Sequence, residues 1–249
     1  MTNPLIRKLE NFAKLSGEDK RALETVCQQV RRYGAREDII QHGDRTDGVK
    51  VVLEGWVSRY KHLEDGRRQI MAYLVPGDFC DLRVFVLRRM DHSVGTLTPA
   101  TVAVMQPDAV RDLTFRFPRL TQALWWSTLV EEAISREWLV NVGQRSAYER
   151  MAHLFCEVYL RLQAVGLAGR NTCEWPLTQT EMGDTTGLST VHVNRTLQEL
   201  RGDNLISLRG KTLTILNLER LQDAALFSPD YLHLDHEGAG LSANDRERS

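Results

Sequence analysis

The chain is poor in the groups that hold metals or staple small folds. Its 249 residues include only four cysteines, Cys27, Cys80, Cys156 and Cys173, and these lie far apart. There is no C-x-x-C pair and no readable disulfide framework, and the spacing suits reduced thiols in the cytoplasm. The histidines His42, His62 and His92 are scattered without an H-x-H, so a roll-bound metal held by closely spaced histidines and a carboxylate has no ligand set. No Ser-His-Asp or Cys-His arrangement can be read, and no enzyme is expected. No apolar run reaches membrane-spanning length, and the first residues lack the apolar core of a secretion signal, so no membrane partner is expected. An excess of charge is missing too: 32 Lys+Arg against 33 Asp+Glu give a formal net charge of -1. Contact with a polyanion would have to come from a local patch rather than a global field.

Such a patch is found in the stretch from Leu177 to Leu216, LTQTEMGDTTGLSTVHVNRTLQELRGDNLISLRGKTLTIL. Thr178 with Glu181 three residues on is a capping box that predicts a short helix. Gly187 is placed to end that helix in a left-handed conformation. Ser189 then caps a second helix, with Val193, Leu197 and Leu200 at core spacing and Gly202 at its close. Its opposite face carries Thr190, Val191, Asn194, Arg195 and Gln198. The following LISLRGKTLTIL reads as two strands turning at Arg209-Gly210. Helix, tight turn, helix and hairpin make a winged helix-turn-helix. A purely structural helical hairpin has the same spacing. The local charge favours DNA: from Leu188 to Lys211 the chain carries Arg195, Arg201, Arg209 and Lys211 against Glu199 and Asp203. His192 also lies within reach of a phosphate.

In this stretch the sequence resembles the CRP/FNR family of bacterial transcription regulators, through LTQTEMGDTTGLS, through Val193-Asn194-Arg195 and through DNLIS-x-x-GKT. The resemblance implies that the second helix enters the major groove and that Arg195 contacts DNA. It implies phosphate contacts for Thr178, Thr180, Ser189 and Lys211. Thr190 and Val191 match two base-reading positions that are commonly charged in the best-known members. Here they are not, so those members' operators do not carry over. Some relatives hold an iron–sulfur cluster through clustered N-terminal cysteines. This chain has no such cluster, and no cofactor or metal is expected.

Upstream, Leu5, Leu9, Phe12 and Leu15 form an apolar helical stripe, and Ser16 caps a second helix expected to run to about Val30. From Arg36 to Met105 short β-rich runs alternate with turn signals such as Glu54-Gly55, Asp65-Gly66 and Pro76-Gly77-Asp78, which predicts an antiparallel roll or barrel. The stretch VVLEGWVSRYKHLEDGRRQIMAYLVPGDF resembles the cyclic-nucleotide-binding β-roll of the same family, with Gly55 and Gly77 at two of its corners. In nucleotide-binding members an Arg-Ser or Arg-Thr pair holds the cyclic phosphate. At that position this chain reads Asp91-His92-Ser93, and Asp81 stands near the family's acidic position. Cyclic AMP is therefore not the expected ligand. An unknown small effector, or none, remains, with Asp81, His92, Ser93, Trp125 and Trp126 as the candidate effector residues. Arg83, Arg88 and Arg89 are nearby cations that read as a solvated loop.

Arg119 to Arg145 predicts one long helix, apolar on more than one face through Leu120, Leu124, Trp126, Leu129, Val130, Ile134, Trp138 and Val142. A core helix within one domain is one account of that. The other, which the resemblance favours, is a dimerisation helix that packs on the roll and on a second copy. The expected fold class is α+β: an N-terminal antiparallel, jelly-roll-like β-roll, a long dimerisation helix and a C-terminal winged helix-turn-helix. The expected divisions are 1–118 for the sensor roll, 119–147 for the dimerisation helix and hinge, 148–221 for the DNA-binding domain and 222–249 for a mobile tail. The expected partners are double-stranded DNA, a second copy as homodimer, and RNA polymerase. A regulatory subunit whose C-terminal domain binds protein instead of DNA is the second reading.

Overall fold

The computed structural model describes residues 3–45, 47–82 and 89–235. Arg83 and Arg88 lie outside the described residues, as does the tail beyond 235, while Arg89 is exposed. The chain is α+β and divides into two compact units. One comprises the described residues of Met1–Arg59, Leu74–Glu132 and His233–Ser249, the other Tyr60–Tyr73 and Ala133–Leu232.

The roll is built from two sheets. β1 (Val30–Tyr33), β3 (Val49–Glu54) and β7 (Ala100–Met105) lie in the order β1-β7-β3, and β2 (Asp38–Ile40), β4 (Val57–His62), β5 (Arg68–Leu74) and β6 (Ser93–Thr96) in the order β2-β6-β4-β5. β7 pairs antiparallel on both sides, so that Ala103 stands opposite Val30 and Val51. Val49, Val51, Val52, Val57 and Val102 are fully buried, a β-branched set suited to a pleated core. Lys50 is buried among them and keeps its charge paired, with Nζ 2.6 Å from Asp47 Oδ1. The two glycines read as corners are both required. Gly55 has φ +84° and a Cβ there would lie 2.3 Å from the Pro99 carbonyl oxygen; Gly77 has φ +101° and would meet Pro4 O at 2.7 Å.

Two helices precede the roll, α1 (Pro4–Leu9) and α2 (Gly17–Val26). Ser16 caps α2, as the sequence predicts, and the structure adds a reciprocal bond from Asp19. The helix stops at Val26 rather than Val30, because Val30–Tyr33 pairs with β7; this edge strand is largely exposed and so lacks the hydrophobic alternation that marks a strand. After β7 come α3 (Pro107–Arg116), which the sequence pattern does not announce, and α4 (Pro118–Gln144), the long helix, with Pro118 at its first position.

The second unit is built around α5 (Ala147–Ala164), which buries Met151, Leu154, Phe155, Val158 and Leu162. Only Arg145 and Ser146 separate it from α4, and Ser146 forms a capping box with Glu149, an arrangement that contributes about 1 kcal/mol per cap. α8 (Leu218–Ala225) packs on α5, and its last carbonyls at Ala225 and Leu226 accept hydrogen bonds from Arg145 at 3.0 Å each.

The tail expected from residue 222 is not a tail there. Residues 222–225 belong to α8, and a 3-10 turn at Asp230–Leu232 returns the chain to α5. Tyr231 stacks on the fully buried His153 ring at 5.9 Å and donates its hydroxyl to Glu157 Oε2 at 2.9 Å. Trp138 Nε1 donates to the same oxygen at 3.0 Å, and Phe227 meets His153 edge-on at 5.1 Å. The apolar pattern thins past Leu221, but aromatic and polar contacts take over the packing. Burial among these rings and the nearby Arg145 charge push the His153 pKa down to about 3.

Candidate nucleic-acid interface

The helix pair forms where the sequence predicts it. α6 (Gln179–Thr186) begins at Thr178, whose Oγ1 accepts from Glu181 N at 3.2 Å while Glu181 Oε2 accepts from Thr178 N at 2.7 Å. Gly187 ends the helix at φ +70°, and its N–H and that of Leu188 both donate to Gly183 O. Gly183 itself is not conspicuous in the sequence. A Cβ there would lie 2.5 Å from Leu188 O, so this glycine sets how tightly the turn folds back on α6. A lone glycine inside a helical pattern is its only signal.

α7 (Thr190–Gly202) follows, with Ser189 Oγ accepting from His192 N at 3.3 Å. Val193, Leu197 and Leu200 are buried. Thr190, Val191, Asn194 and Arg195 are exposed, and Val191 is 79% exposed, an unusual setting for an aliphatic side chain. Asn194 Nδ2 points to Gln179 Oε1 at 3.5 Å, and Arg195 Nη2 lies 2.7 Å from His192 Nε2. Gly202 is the last helical residue, but the left-handed residue that reverses the chain is Asn204, at φ +56°.

The wing is a three-stranded sheet in the order β8-β10-β9, from β8 (Thr172–Glu174), β9 (Ile206–Arg209) and β10 (Thr212–Ile215). Gly210 makes the turn at φ +57°, leaving Arg209 and Lys211 exposed on either side of it. Trp175 N donates to Lys211 O at 2.8 Å, and Arg201 Nη2 donates to Leu208 O, so the wing's backbone is tied to β8 and to α7. Thr178, Thr180 and Ser189 are likewise exposed, near the N-terminal ends of α6 and α7 where unpaired backbone N–H groups favour anions.

The opposite side of α6 is covered by residues that sequence reasoning does not single out. The hairpin tip Tyr60–Tyr73 belongs to this unit. In it Arg68 pairs with Asp184 at 2.8 Å, Gln69 Nε2 donates to Thr185 O at 3.1 Å, and the Tyr73 hydroxyl reaches Glu181 O and Thr185 Oγ1. Only the fold brings residues so distant in sequence together.

A folded-back helix pair with a glycine turn and a basic-tipped wing is the geometry of a winged helix-turn-helix, and comparison with known proteins agrees. Residues 149–224 match the Crp-like helix-turn-helix domain, and residues 30–117 the cyclic nucleotide-binding domain. The transcriptional activator protein FnrL of Cereibacter sphaeroides is 30% identical over 214 residues, 85% of each chain. The chain belongs to the CRP/FNR family of transcription regulators. Its similarity extends to the nitrogen fixation regulation protein FixK of Bradyrhizobium diazoefficiens, 26% identical over 88% of this chain and 91% of that one. The solved structure of FixK2 from Bradyrhizobium japonicum superposes with a TM-score of 0.73 at 24% identity, over 80% of this chain and 98% of that chain, which shows the shared fold. As a CRP/FNR regulator the chain is a DNA-binding protein and not an enzyme, and regulators of this family act as dimers. Among the described residues no helix is long and apolar enough to cross a membrane, and no group of three or more His, Cys, Asp or Glu could hold a metal ion.

The effector candidates do not form one open site. Asp81 and His92 are buried, and His92 Nδ1 is 2.7 Å from Asp91 Oδ1, while its Nε2 has no hydrogen-bond partner among the described residues. Burial pushes the His92 pKa below that of an ordinary histidine, only partly offset by Asp91. Ser93 Oγ is taken by His42 N at 3.0 Å. Trp126 packs against Phe12, 5.7 Å between rings, while Trp125 is 68% exposed. A second cation within the roll, besides Lys50, is one the sequence does not flag, Arg59. It donates to Phe79 O, Cys80 O and Glu131 Oε2 at 2.7, 2.8 and 2.9 Å.

Proposed function

We propose that this CRP/FNR regulator binds an inverted-repeat operator as a homodimer, with the N-terminal half of α7 in the major groove. The observation that carries the reading is the division of α7, with Val193, Leu197 and Leu200 in the core and Thr190, Val191, Asn194 and Arg195 exposed. Thr190 offers a hydroxyl and Val191 an apolar surface for a thymine methyl. Arg195 has the donor fork that pairs with guanine N7 and O6. Thr178, Thr180, Ser189, Arg209 and Lys211 serve the phosphates. The two-fold partner lies along α4, where Trp125, Leu129, Leu139 and Val140 are exposed in spite of their apolar side chains.

The roll's effector is not cyclic AMP. A cyclic phosphate needs a fixed cation, and burial disfavours a charged His92 while the Arg59 guanidinium is already satisfied by Glu131 and two carbonyls. The effector is another small molecule or none. RNA polymerase is the further partner, and the cytoplasm the place of action.

Selection of bound sequences from a random duplex pool, with and without cell metabolites, tests the reading. The expected product is an inverted repeat with half-sites about 34–36 Å apart, one turn of DNA. A pool with no enriched sequence overturns it, as does calorimetry that finds cyclic AMP binding abolished in His92→Ala.

A further inference from the structure

Arg195 is braced within its own helix. Its Nη2 lies 2.7 Å from Nε2 of His192, one turn back, and its Nε lies 3.8 Å from Oε1 of Glu199, one turn on. A guanidinium carries donors only, so in the shorter contact Arg195 donates and His192 Nε2 accepts. That assigns His192 the tautomer with its proton on Nδ1. The Glu199 contact is too long for a hydrogen bond and acts as a charge alone. A protonated imidazole has donors on both nitrogens and no acceptor, and it would meet the guanidinium as a like charge.

We propose that His192 is a positioning residue for operator recognition: its Nε2 acceptor aims the Arg195 fork at its base, so that base discrimination, rather than affinity as such, depends on that acceptor. The inference rests on the proposed operator reading and deepens it. A long exposed arginine must give up rotamer freedom to bond a base edge. A partner on the free helix that already restricts the fork lowers that cost for the correct base. Without the acceptor, the guanidinium is released toward the nearest phosphates, where it strengthens binding to any sequence.

The charged groups on the elements packed against α7 are committed elsewhere. Glu181 is bonded to Thr178, Asp184 to Arg68, Glu157 to Trp138 and Arg161, and Arg150 to main-chain carbonyls, while Arg201 reaches Leu208 O. Arg209 and Lys211 stand exposed on either side of the wing turn. On α7 itself Arg195 is the charged neighbour of the ring, and Glu199 in turn faces Arg195.

The experiment measures affinity of the full-length protein for the selected operator and for variants of the base pair read by Arg195. Three proteins are compared: wild type, H192A and H192Q. A glutamine carbonyl can accept from Arg195 in place of the imidazole. Wild type is expected to prefer the correct base, H192A to lose about five- to tenfold of that preference, and H192Q to keep most of it. Circular dichroism checks that the variants fold. An operator-selective wild type whose preference H192A leaves intact overturns this inference alone, as does an H192Q preference as low as that of H192A. A wild type with no preference among duplexes overturns the operator reading and this inference with it.

Discussion

The Arg150 guanidinium donates to the carbonyl of Thr186, the last residue of α6, and with its other nitrogens to Asn141 O and Val142 O at the end of α4 and to Arg145 O just beyond it. One side chain thus satisfies the unpaired carbonyls of two helix ends, which a helix cannot satisfy for itself. Its charge also suits the negative end of both helix dipoles.

Removing that brace should loosen the hinge and the turn together. Arg150→Ala is expected to cost about 1–3 kcal/mol of stability, the range for leaving part-buried carbonyls unpaired. Arg150→Lys should recover less than half, because a single ammonium cannot span two helix ends. Chemical denaturation of the three proteins measures it, and an alanine variant as stable as wild type would remove Arg150 from this role.

On DNA, Arg195 and Lys211 should separate. Arg195→Ala is expected to cost about 1–3 kcal/mol on the best operator and to relax specificity at one base pair in each half-site. Lys211→Ala should weaken all sequences alike and flatten the salt dependence, by about 0.9 in slope for each phosphate that a subunit no longer neutralises. Titrations of both against single-base operator variants make the comparison. Equal losses on every variant for Arg195→Ala would make it a phosphate clamp.

The exposed apolar side chains of α4 predict a dimer that charge can break. Leu139, 71% exposed, tolerates a glutamate in an isolated subunit but not within an apolar dimer seam. Leu129→Glu and Leu139→Glu should sediment as monomers at micromolar concentration and bind the operator weakly. Sedimentation of both as dimers, with operator affinity unchanged, would place the dimer seam elsewhere.

Acid should destabilise the second unit through His153. Its pKa is pushed down to about 3 in the fold from 6.5, so below 6.5 the unfolded chain binds a proton that the native one refuses. Stability therefore falls as pH drops from about 6.5 toward 3, by a few kcal/mol at most. Glu157, whose pKa burial raises, works the other way over a window above the ordinary carboxylate range, because there the native state takes up the proton first. His153→Leu should flatten the acid limb of a stability–pH curve measured by denaturant titration. A limb of undiminished slope would assign it to other groups.

What can be read in the sequence is whatever rests on local chemistry. The caps at Ser16, Thr178 and Ser189, the left-handed Gly187 and the wing turn at Gly210 are each fixed by a residue and its neighbours within four positions. The strands of the roll are legible where β-branched residues cluster, as in Val49–Glu54, and illegible where an exposed edge such as Val30–Tyr33 lacks the pattern. The effector residues rest on resemblance alone. The structure buries Trp126 against Phe12 and supplies an internal cation, Arg59, from a strand whose alternation marks it only as a strand residue. Pairings between distant segments, Arg68 with Asp184 and Tyr231 with Glu157, leave no trace in local pattern.

The return of the chain at Tyr231 bears on how the reading head can be handled in isolation. The family domain match ends at residue 224, and a DNA-binding fragment trimmed there would leave Phe227, Tyr231 and Leu232 behind. Glu157 would lose one of its donors, and the His153 ring would lose two of the rings that cover it. Such a fragment would report an acid tolerance, a solubility and a hinge stiffness that belong to the cut and not to the protein.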